Sequence, residues 1–247
     1  MLSIPISRPP NIKDKVAIVT GAAGGIGKAI TSALDREGAK IIASDIKDCN
    51  LYKRHSDQIS FFQCDITQEN QVKSLVEFAL DKHKRIDILV NSAGVVGTTT
   101  ITDLSESEWD WVLDINLKGT FLCCKHVMKM MQEQKYGKII CIGSIAGKVG
   151  GLITGPHYVA SKAAVHGLTK ALARNGARYG VLVNCIVPGQ IRTSMLDKLD
   201  LSSIEIPVGR LGEPEDISEL VVFLSSDAAN FITGALINVN GGIFMDG

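Results

Sequence analysis

A short apolar run that leads straight into a cluster of glycines constrains the fold of this chain more than any other feature. Residues 16–20 (VAIVT) are rich in β-branched side chains, which is typical of a buried strand. Residues 20–27 (TGAAGGIG) follow, and residues 28–37 then have helical character. In a unit of strand, glycine turn and helix, backbone N–H groups approach a pyrophosphate and the helix N-terminus supplies partial positive charge. The segment therefore predicts a phosphate-binding turn, with the alternative of a simple chain reversal.

Strand-like and helix-like segments alternate along the rest of the chain. The predicted strands are 16–20, 40–44, 60–64, 86–90, 138–143, 181–187 and 235–239, and the predicted helices lie near 26–37, 68–83, 105–134, 157–178 and 214–226. Alternation of this kind predicts βαβ units and a parallel sheet. We therefore expect an α/β fold, a single doubly wound Rossmann-type domain whose seven-stranded parallel sheet carries helices on both faces. Residues 13–247 would form this domain, and residues 1–12 a flexible N-terminal arm.

Composition and charge argue against several classes of protein. The 247 residues are 45% hydrophobic, which is enough to bury one large core. The 26 basic and 26 acidic side chains cancel, so neither a nucleic acid nor an anionic membrane is an expected partner. No apolar run reaches the ~18 residues of a membrane span and residues 1–12 lack an apolar signal core, so we expect a cytoplasmic protein. The six cysteines show no metal-ligand spacing and predict buried, reduced thiols rather than a metal site.

An acidic residue, Asp45, follows the second predicted strand. Eighteen residues separate it from Gly27, close to the roughly 20 typical of a carboxylate that binds an adenosine ribose. Such a carboxylate would accept hydrogen bonds from the ribose hydroxyls and repel a 2′-phosphate. No Arg or Lys lies between Gly21 and Gly25, and Lys47 is the nearest side chain able to pair with a phosphate. The pattern favours NAD over NADP, with the alternative that Asp45 only begins a polar turn.

Tyr158 and Lys162 stand four residues apart in a predicted helix. Residues at this spacing lie on one helix face, so the phenol and the ammonium would be neighbours. A nearby cation favours the phenolate and would lower the tyrosine pKa toward the range of general acid/base catalysis. Ser144, fourteen residues before Tyr158, could hold a substrate oxygen while the tyrosine moves its proton. The alternative is an exposed helix pair. His157 is expected to face elsewhere, because consecutive helix positions point about 100° apart.

Together these segments resemble the short-chain dehydrogenase/reductase family over about residues 13–243. Residues 20–27 match the cofactor loop of that family, and residues 91–94 (NSAG) match its N-N-A-G motif with Ser92 in place of the second Asn. Asn116, Ser144, Tyr158 and Lys162 match its catalytic tetrad, and residues 188–193 (PGQIRT) match the segment along the nicotinamide. The resemblance implies an enzyme that moves a hydride between a nicotinamide cofactor and a substrate carbon.

The resemblance also assigns residues to the cofactor. Those expected to contact it are Gly21, Gly25, Ile26, Gly27, Asp45, Asp65, Ile66, Asn91, Ala93, Gly94, Tyr158, Lys162, Pro188, Gly189, Ile191 and Thr193. Asp65 and Ile66 would flank the adenine, with the alternative that Asp65 caps a helix. Lys162 would also hold the nicotinamide ribose. Asn116 would fix a water that links Lys162 to solvent, with the alternative of a helix-interior amide bonded to its own backbone.

Substrate walls in this family come from three segments, which correspond here to residues 94–99, 145–156 and 190–212. The residues expected to line the pocket are Ser144, Val96, Leu152, Ile153, Gln190 and Met195. Small apolar walls favour a small or linear alcohol or ketone, such as a sugar acid, polyol or hydroxy ketone. One alternative is an NADPH-dependent 3-oxoacyl-thioester reductase, for which Lys135 and Tyr179 stand at the carrier-docking positions. Another is a cofactor-binding regulator or scaffold without catalysis.

Association into a homo-oligomer is expected as well. Small residues recur along the helix that begins near Tyr158: Ala160, Ala163, Ala164, Gly167, Ala171 and Ala173. In the family this helix packs against its two-fold mate and relatives are commonly tetramers, so the resemblance implies a tetramer. The alternative is that these small residues only pack on the sheet.

Overall fold

The structure is a computed structural model that describes residues 11–48, 58–202 and 204–246. Residues 1–10 of the predicted arm lie outside the described residues, as does Cys49. Ile12, which the prediction placed in the arm, is fully buried in the core. The folded domain therefore begins before residue 13. The five cysteines within the described ranges are buried free thiols.

Seven strands in the described residues form one parallel sheet. They are β1 (Val16–Thr20), β2 (Lys40–Asp45), β3 (Ile59–Gln63), β4 (Ile88–Asn91), β5 (Gly137–Ile142), β6 (Val181–Pro188) and β7 (Leu236–Val239). Their spatial order is β3-β2-β1-β4-β5-β6-β7, and each neighbouring pair is parallel. The chain winds outward from β1 in one direction and then, after a crossover from β3 to β4, in the other. The predicted doubly wound sheet is confirmed.

Seven α-helices occur in the described ranges. They are α1 (Gly25–Arg36), α2 (Glu69–His83), α3 (Glu106–Leu113), α4 (Thr120–Gln134), α5 (Ala146–Val149), α6 (Pro156–Gly176) and α7 (Pro214–Ser225). Short 3-10 turns lie at Ala177–Tyr179, Leu196–Lys198 and Asp227–Ala229. None of the helices in the described residues is long and apolar enough to cross a membrane.

Helices cover both faces of the sheet because successive strand residues point to opposite sides. One core contains Ile18 and Leu89 together with side chains of α2, α4 and α6. The other contains the next strand residues, Val19 and Val90, together with side chains of α1 and α7. Strands buried on both faces account for the continuous apolar runs in the sequence.

The region predicted as one helix over 105–134 contains an interruption. A π-helical segment, Asp114–Gly119, separates α3 from α4. Thr120 Oγ1 donates a hydrogen bond to the Asn116 carbonyl oxygen (2.8 Å), so a side chain supplies a partner for a carbonyl in the widened turn. Prediction of a single helix was wrong here, because one inserted residue hardly disturbs the apolar period. The four-residue helix α5 was also not predicted, since it is too short for a helical period to show.

Candidate active site

Two adjoining cavities lie at the carboxyl ends of the strands, the edge of the sheet where ligands bind in open α/β folds. The larger has a volume of about 410 Å³ and follows the glycine segment, Asp45 and the end of β4. The smaller, of about 120 Å³, contains Ser144, Tyr158 and Lys162. Both are lined by Ile26, Ser92, Gly94, Val95, Thr193 and Met195. A ligand in the larger cavity can therefore extend to the polar side chains of the smaller one.

The glycine segment after β1 gives the larger cavity a wall of bare backbone. Gly21 has a φ of +67°, which favours glycine, and a Cβ there would lie 2.6 Å from the backbone of Ala93. A Cβ on Gly27 would lie 2.1 Å from the Gly21 carbonyl oxygen. Helix α1 begins at Gly25 and has no acidic residue in its first turn. The segment fits the pyrophosphate of a dinucleotide, because the unpaired N–H groups at a helix start attract anions.

Asp45 is the last residue of β2 and lines the larger cavity. One carboxylate oxygen accepts a hydrogen bond from the backbone N–H of Ala23 (3.0 Å), and the other accepts one from the N–H of Lys47 (3.0 Å). The second bond is the polar turn considered as an alternative, whereas the first ties the carboxylate to the glycine segment. Because a carboxylate offers about four acceptor positions, these two bonds leave capacity for ribose hydroxyls.

Asp65 and Ile66 line the same cavity. Asp65 Oδ1 accepts hydrogen bonds from the N–H (2.9 Å) and the hydroxyl (2.8 Å) of Thr67. Helix α2 is instead capped at Gln68, whose side chain makes no capping bond. The alternative that Asp65 caps the helix is therefore wrong.

At the end of β4, some residues line the larger cavity and others are buried in the core behind it. Ala93 and Gly94 line the larger cavity, whereas Asn91 lines neither cavity. Asn91 Nδ2 lies 3.3 Å from Cys124 Sγ and 3.7 Å from Cys141 Sγ. Its buried Oδ1 has no hydrogen-bond partner among the described residues. Asn91 therefore supports the cavity from behind, and its position does not support the predicted contact with the cofactor.

The segment after β6 lies against the glycine segment. Pro188, Gly189 and Ile191 line the smaller cavity, and Thr193 lines both. A Cβ on Gly25 would lie 2.7 Å from Thr193 Cγ2, which shows how closely the two segments approach.

Asn116 acts as a clamp at the back of the site. Its Oδ1 accepts a hydrogen bond from Val95 N (2.8 Å), and its Nδ2 donates to Val95 O (2.9 Å) and to Ser161 Oγ (3.0 Å). The alternative of an amide bonded to its own backbone is therefore wrong. The clamp joins the π-helical segment to α6 and to a residue that lines both cavities.

Tyr158 and Lys162 lie one turn apart near the start of α6, which begins at Pro156. A proline is well suited to the first turn, where its missing N–H would have no helical partner. Both side chains are buried, so the alternative of an exposed helix pair is wrong. Lys162 Nζ lies 5.8 Å from the centre of the Tyr158 ring and donates a hydrogen bond to Ile142 O (3.0 Å).

Burial dominates the protonation of both groups. It raises the pKa of Tyr158 above its ordinary value, and the hydrogen bond with Ser144 opposes that rise. It lowers the pKa of Lys162 to about 8, while the thiols of Cys185 and Cys141 oppose that fall. The expectation that Lys162 lowers the pKa of Tyr158 is not supported for the protein alone, because burial disfavours the phenolate and raises that pKa.

The smaller cavity brings together the predicted pocket residues. Its lining includes Ser144, Val96, Leu152, Ile153, Gln190 and Met195. Ser144 Oγ also accepts a hydrogen bond from Ala146 N (3.1 Å), so the start of α5 fixes the hydroxyl. Leu152 is 60% exposed and Met195 37% exposed, which places both at the mouth.

Several lining residues were not predicted. In the larger cavity they include Trp111, Asp114 and Ile115. Asp114 and Ile115 lie three and four residues after Trp111, so helical periodicity could have placed them on the same face as Trp111. Thr154 and Leu199, in the smaller cavity, fall within the predicted wall segments 145–156 and 190–212 but were not singled out there.

Comparisons with known proteins agree with this geometry. A family model described as enoyl-(acyl carrier protein) reductase matches residues 21–244. A 3-oxoacyl-[acyl-carrier-protein] reductase of Thermotoga maritima is 37% identical over 243 residues, which cover 94% of this chain and 98% of that protein. A (+)-borneol dehydrogenase of Salvia officinalis is 37% identical over 269 residues, which cover 96% of this chain and 92% of that protein.

Among solved structures, the crystal structure of gox2181 aligns with a TM-score of 0.89 and 34% identity, covering 94% of this chain and 96% of that one. The chain belongs to the short-chain dehydrogenase/reductase family. It is an oxidoreductase of CH–OH or keto groups.

Proposed function

We propose that the protein interconverts 3-oxoacyl and 3-hydroxyacyl thioesters with NAD(H). The observation that carries the proposal is the junction of the two cavities, which places Ser144, Tyr158 and Lys162 next to the glycine segment and Asp45. A bound nicotinamide cofactor supplies or accepts the hydride. The larger cavity and the glycine segment hold the dinucleotide, and the smaller cavity holds the reacting carbon of the substrate.

The protein's own contribution is to bind the substrate oxygen and move a proton. Ser144 and Tyr158 both donate hydrogen bonds to a substrate carbonyl oxygen. Burial favours the protonated Tyr158 phenol, which can donate a proton to that oxygen when the ketone is reduced. The nearby Lys162, with a pKa of about 8, can exchange protons close to neutral pH.

The lining of the smaller cavity favours an acyl substrate over a sugar acid or polyol. Among the described residues that line it, Lys162 is the charged side chain, and most of the others are apolar. A sugar acid or polyol would place several hydroxyls, or a carboxylate, among mostly apolar walls, which is costly unless each is hydrogen-bonded. The name of the Thermotoga relative supports a 3-oxoacyl thioester in place of the sugar acid or polyol favoured from the sequence. Lys135 and Tyr179 precede β5 and β6, at the sheet edge opposite the cavities, and add no support.

Asp45 supports NAD(H) as the cofactor. Its carboxylate is fixed by Ala23 N and Lys47 N, and it would repel a 2′-phosphate. The alternative is NADPH, for which the exposed Lys47 ammonium would be the phosphate partner.

Turnover of acetoacetyl-CoA tests the proposed reaction. We expect the purified protein to consume NADH in its presence, and Tyr158→Phe to lower kcat by about 10²- to 10⁴-fold, since it removes the proton donor. Tyr136→Phe is the matched control, because the Tyr136 hydroxyl is buried without a partner in the described residues, just before β5. Absence of turnover with either NADH or NADPH would refute the substrate, and full activity of Tyr158→Phe would refute the mechanism.

A further inference from the structure

A fully buried histidine, His157, directly precedes Tyr158 on α6. Its Nε2 lies 3.3 Å from Glu108 Oε1 on α3, within ion-pair distance, although neither ring nitrogen makes a hydrogen bond to the described residues. The Glu108 carboxylate in turn accepts the hydroxyl of Thr99, with Oγ1 at 2.7 Å and 3.0 Å from its two oxygens. These three side chains connect the first turn of α6, helix α3 and the segment that follows β4.

Two glycines make room for the imidazole. A Cβ on Gly97 would lie 1.8 Å from His157 Nε2, and a Cβ on Gly155 would lie 2.6 Å from Cε1. The two glycines also bond to each other, because Gly155 N donates to Gly97 O (2.8 Å). The His157 ring therefore fills the space where the segments 94–99 and 145–156 meet.

Both of these segments form walls of the smaller cavity. Val96, next to Gly97, lines the cavity, and so do Ile153 and Thr154, which precede Gly155. Residues 92–100 belong to no helix or strand, so single contacts such as Gly155 N to Gly97 O, and not a continuous backbone ladder, hold them in place. His157 itself does not line the cavity, so any effect on the substrate passes through these neighbours.

We propose that His157 is a positioning residue. With Glu108 and Thr99, it holds two walls of the substrate cavity against the first turn of α6 and so fixes the substrate relative to Tyr158. This role rests on the proposed function for its effect on turnover, but its effect on the two segments can be measured without a substrate.

The test compares His157→Gln with His157→Leu. The two replacements are similar in size, but only Gln keeps a polar N–H group beside the Glu108 carboxylate. We expect His157→Leu to speed amide hydrogen exchange in residues 92–100 and 150–155, and to lower kcat/KM for acetoacetyl-CoA by about 10- to 100-fold, the scale of a substrate displaced by about 1 Å. In His157→Gln, the exchange rates and kcat/KM should both stay close to those of the parent protein. NADH affinity should stay unchanged in both variants, since His157 lines neither cavity.

His126→Leu is the matched control. His126 Nε2 lies 3.1 Å from Glu69 Oε1 in a partly exposed contact between α4 and α2. Loss of this contact should change neither the amide exchange rates nor kcat/KM. If His157→Leu does not fold, Thr99→Val replaces it, because this change removes only the hydroxyl that bonds to Glu108.

Equal exchange rates in the Gln and Leu variants would overturn the proposal, because the imidazole would then only fill space. A parent protein without activity on acetoacetyl-CoA would refute the substrate instead, and the exchange rates would still decide the role of His157.

Discussion

At the scale of single residues, Lys162 is a cation that the fold has taken almost entirely out of water. Its side chain is 6% exposed and its Nζ has Ile142 O as a hydrogen-bond acceptor. Burial lowers its pKa to about 8, since the charged form loses hydration that one carbonyl only partly replaces. A group that titrates this close to neutrality is suited to passing protons, and the protein gives up stability to have it there.

This cost predicts a pH dependence of stability. The pKa of Lys162 is about 8 in the folded protein and 10.5 for a free lysine, so between these values the unfolded chain binds more protons. Stability contributed by this residue therefore rises as the pH rises from 8 to 10.5. Relative to Lys162→Met, we expect the parent to gain about 3 kcal/mol in free energy of unfolding over that range. Urea denaturation of both proteins at pH 8 and pH 10.5 measures this gain. If the difference in free energy of unfolding between the parent and Lys162→Met did not change with pH, the lowered pKa of Lys162 would be contradicted.

Residue spacing predicted which side chains meet, but not their protonation. Four-residue spacing correctly placed Tyr158 and Lys162 on one helix face, and eighteen residues correctly placed Asp45 near the glycine segment. The direction of the Tyr158 pKa could not follow from spacing. It depends on burial, which raises the pKa of Tyr158, and on the opposing hydrogen bond with Ser144.

At the scale of elements, the π-helical segment Asp114–Gly119 matters because it carries Asn116. The Asn116 amide makes three hydrogen bonds, two to the backbone of Val95 and one to Ser161. Val95 lines both cavities, so the clamp fixes the wall that they share.

Loss of this clamp should destabilise the protein. We expect Asn116→Ala to lower the free energy of unfolding by about 3 kcal/mol, at about 1 kcal/mol for each of the three bonds. Thr120→Val, which removes only the bond to the Asn116 carbonyl, should cost about 1 kcal/mol. Chemical denaturation of both variants measures the difference, and equal losses would show that the amide does not act as a clamp.

Periodicity predicted the regular elements and missed the irregular ones. Strands and long helices repeat a pattern over several turns, so their existence follows from the sequence within a few residues at each end. The π-helical segment and α5 are local departures, stabilised by single contacts such as Thr120 Oγ1 to Asn116 O. Such contacts form only in the folded protein, so the apolar periodicity of the sequence cannot predict them.

At the scale of the whole molecule, the doubly wound sheet leaves one face of α6 uncovered. Ala163, Gly167 and Ala171 are exposed there, whereas Ala173 is buried. A Cβ on Gly167 would meet no atom within 4 Å. The alternative that these small residues only pack on the sheet holds for Ala173 but not for the exposed three. We propose that this face meets the same face of a second copy, within a homotetramer.

A bulky charge on this face should break the assembly. Gly167→Arg places a long cation where two helices would approach closely, and we expect it to reduce the molar mass in solution measured by light scattering. Ser74→Arg, on the exposed face of α2, is the control and should leave the mass unchanged. A parent protein that is already monomeric would contradict the proposal.

Titration of the protein with NADH and, separately, NADPH tests the central claim most directly. Following nicotinamide fluorescence, we expect NADH to bind at least about tenfold more tightly than NADPH, a difference of about 1.4 kcal/mol. Asp45→Ala should remove most of that preference, because it removes the charge that repels the 2′-phosphate. Tighter binding of NADPH would assign the phosphate to Lys47 and contradict the role of Asp45. Binding of neither would contradict the assignment of the larger cavity to the cofactor.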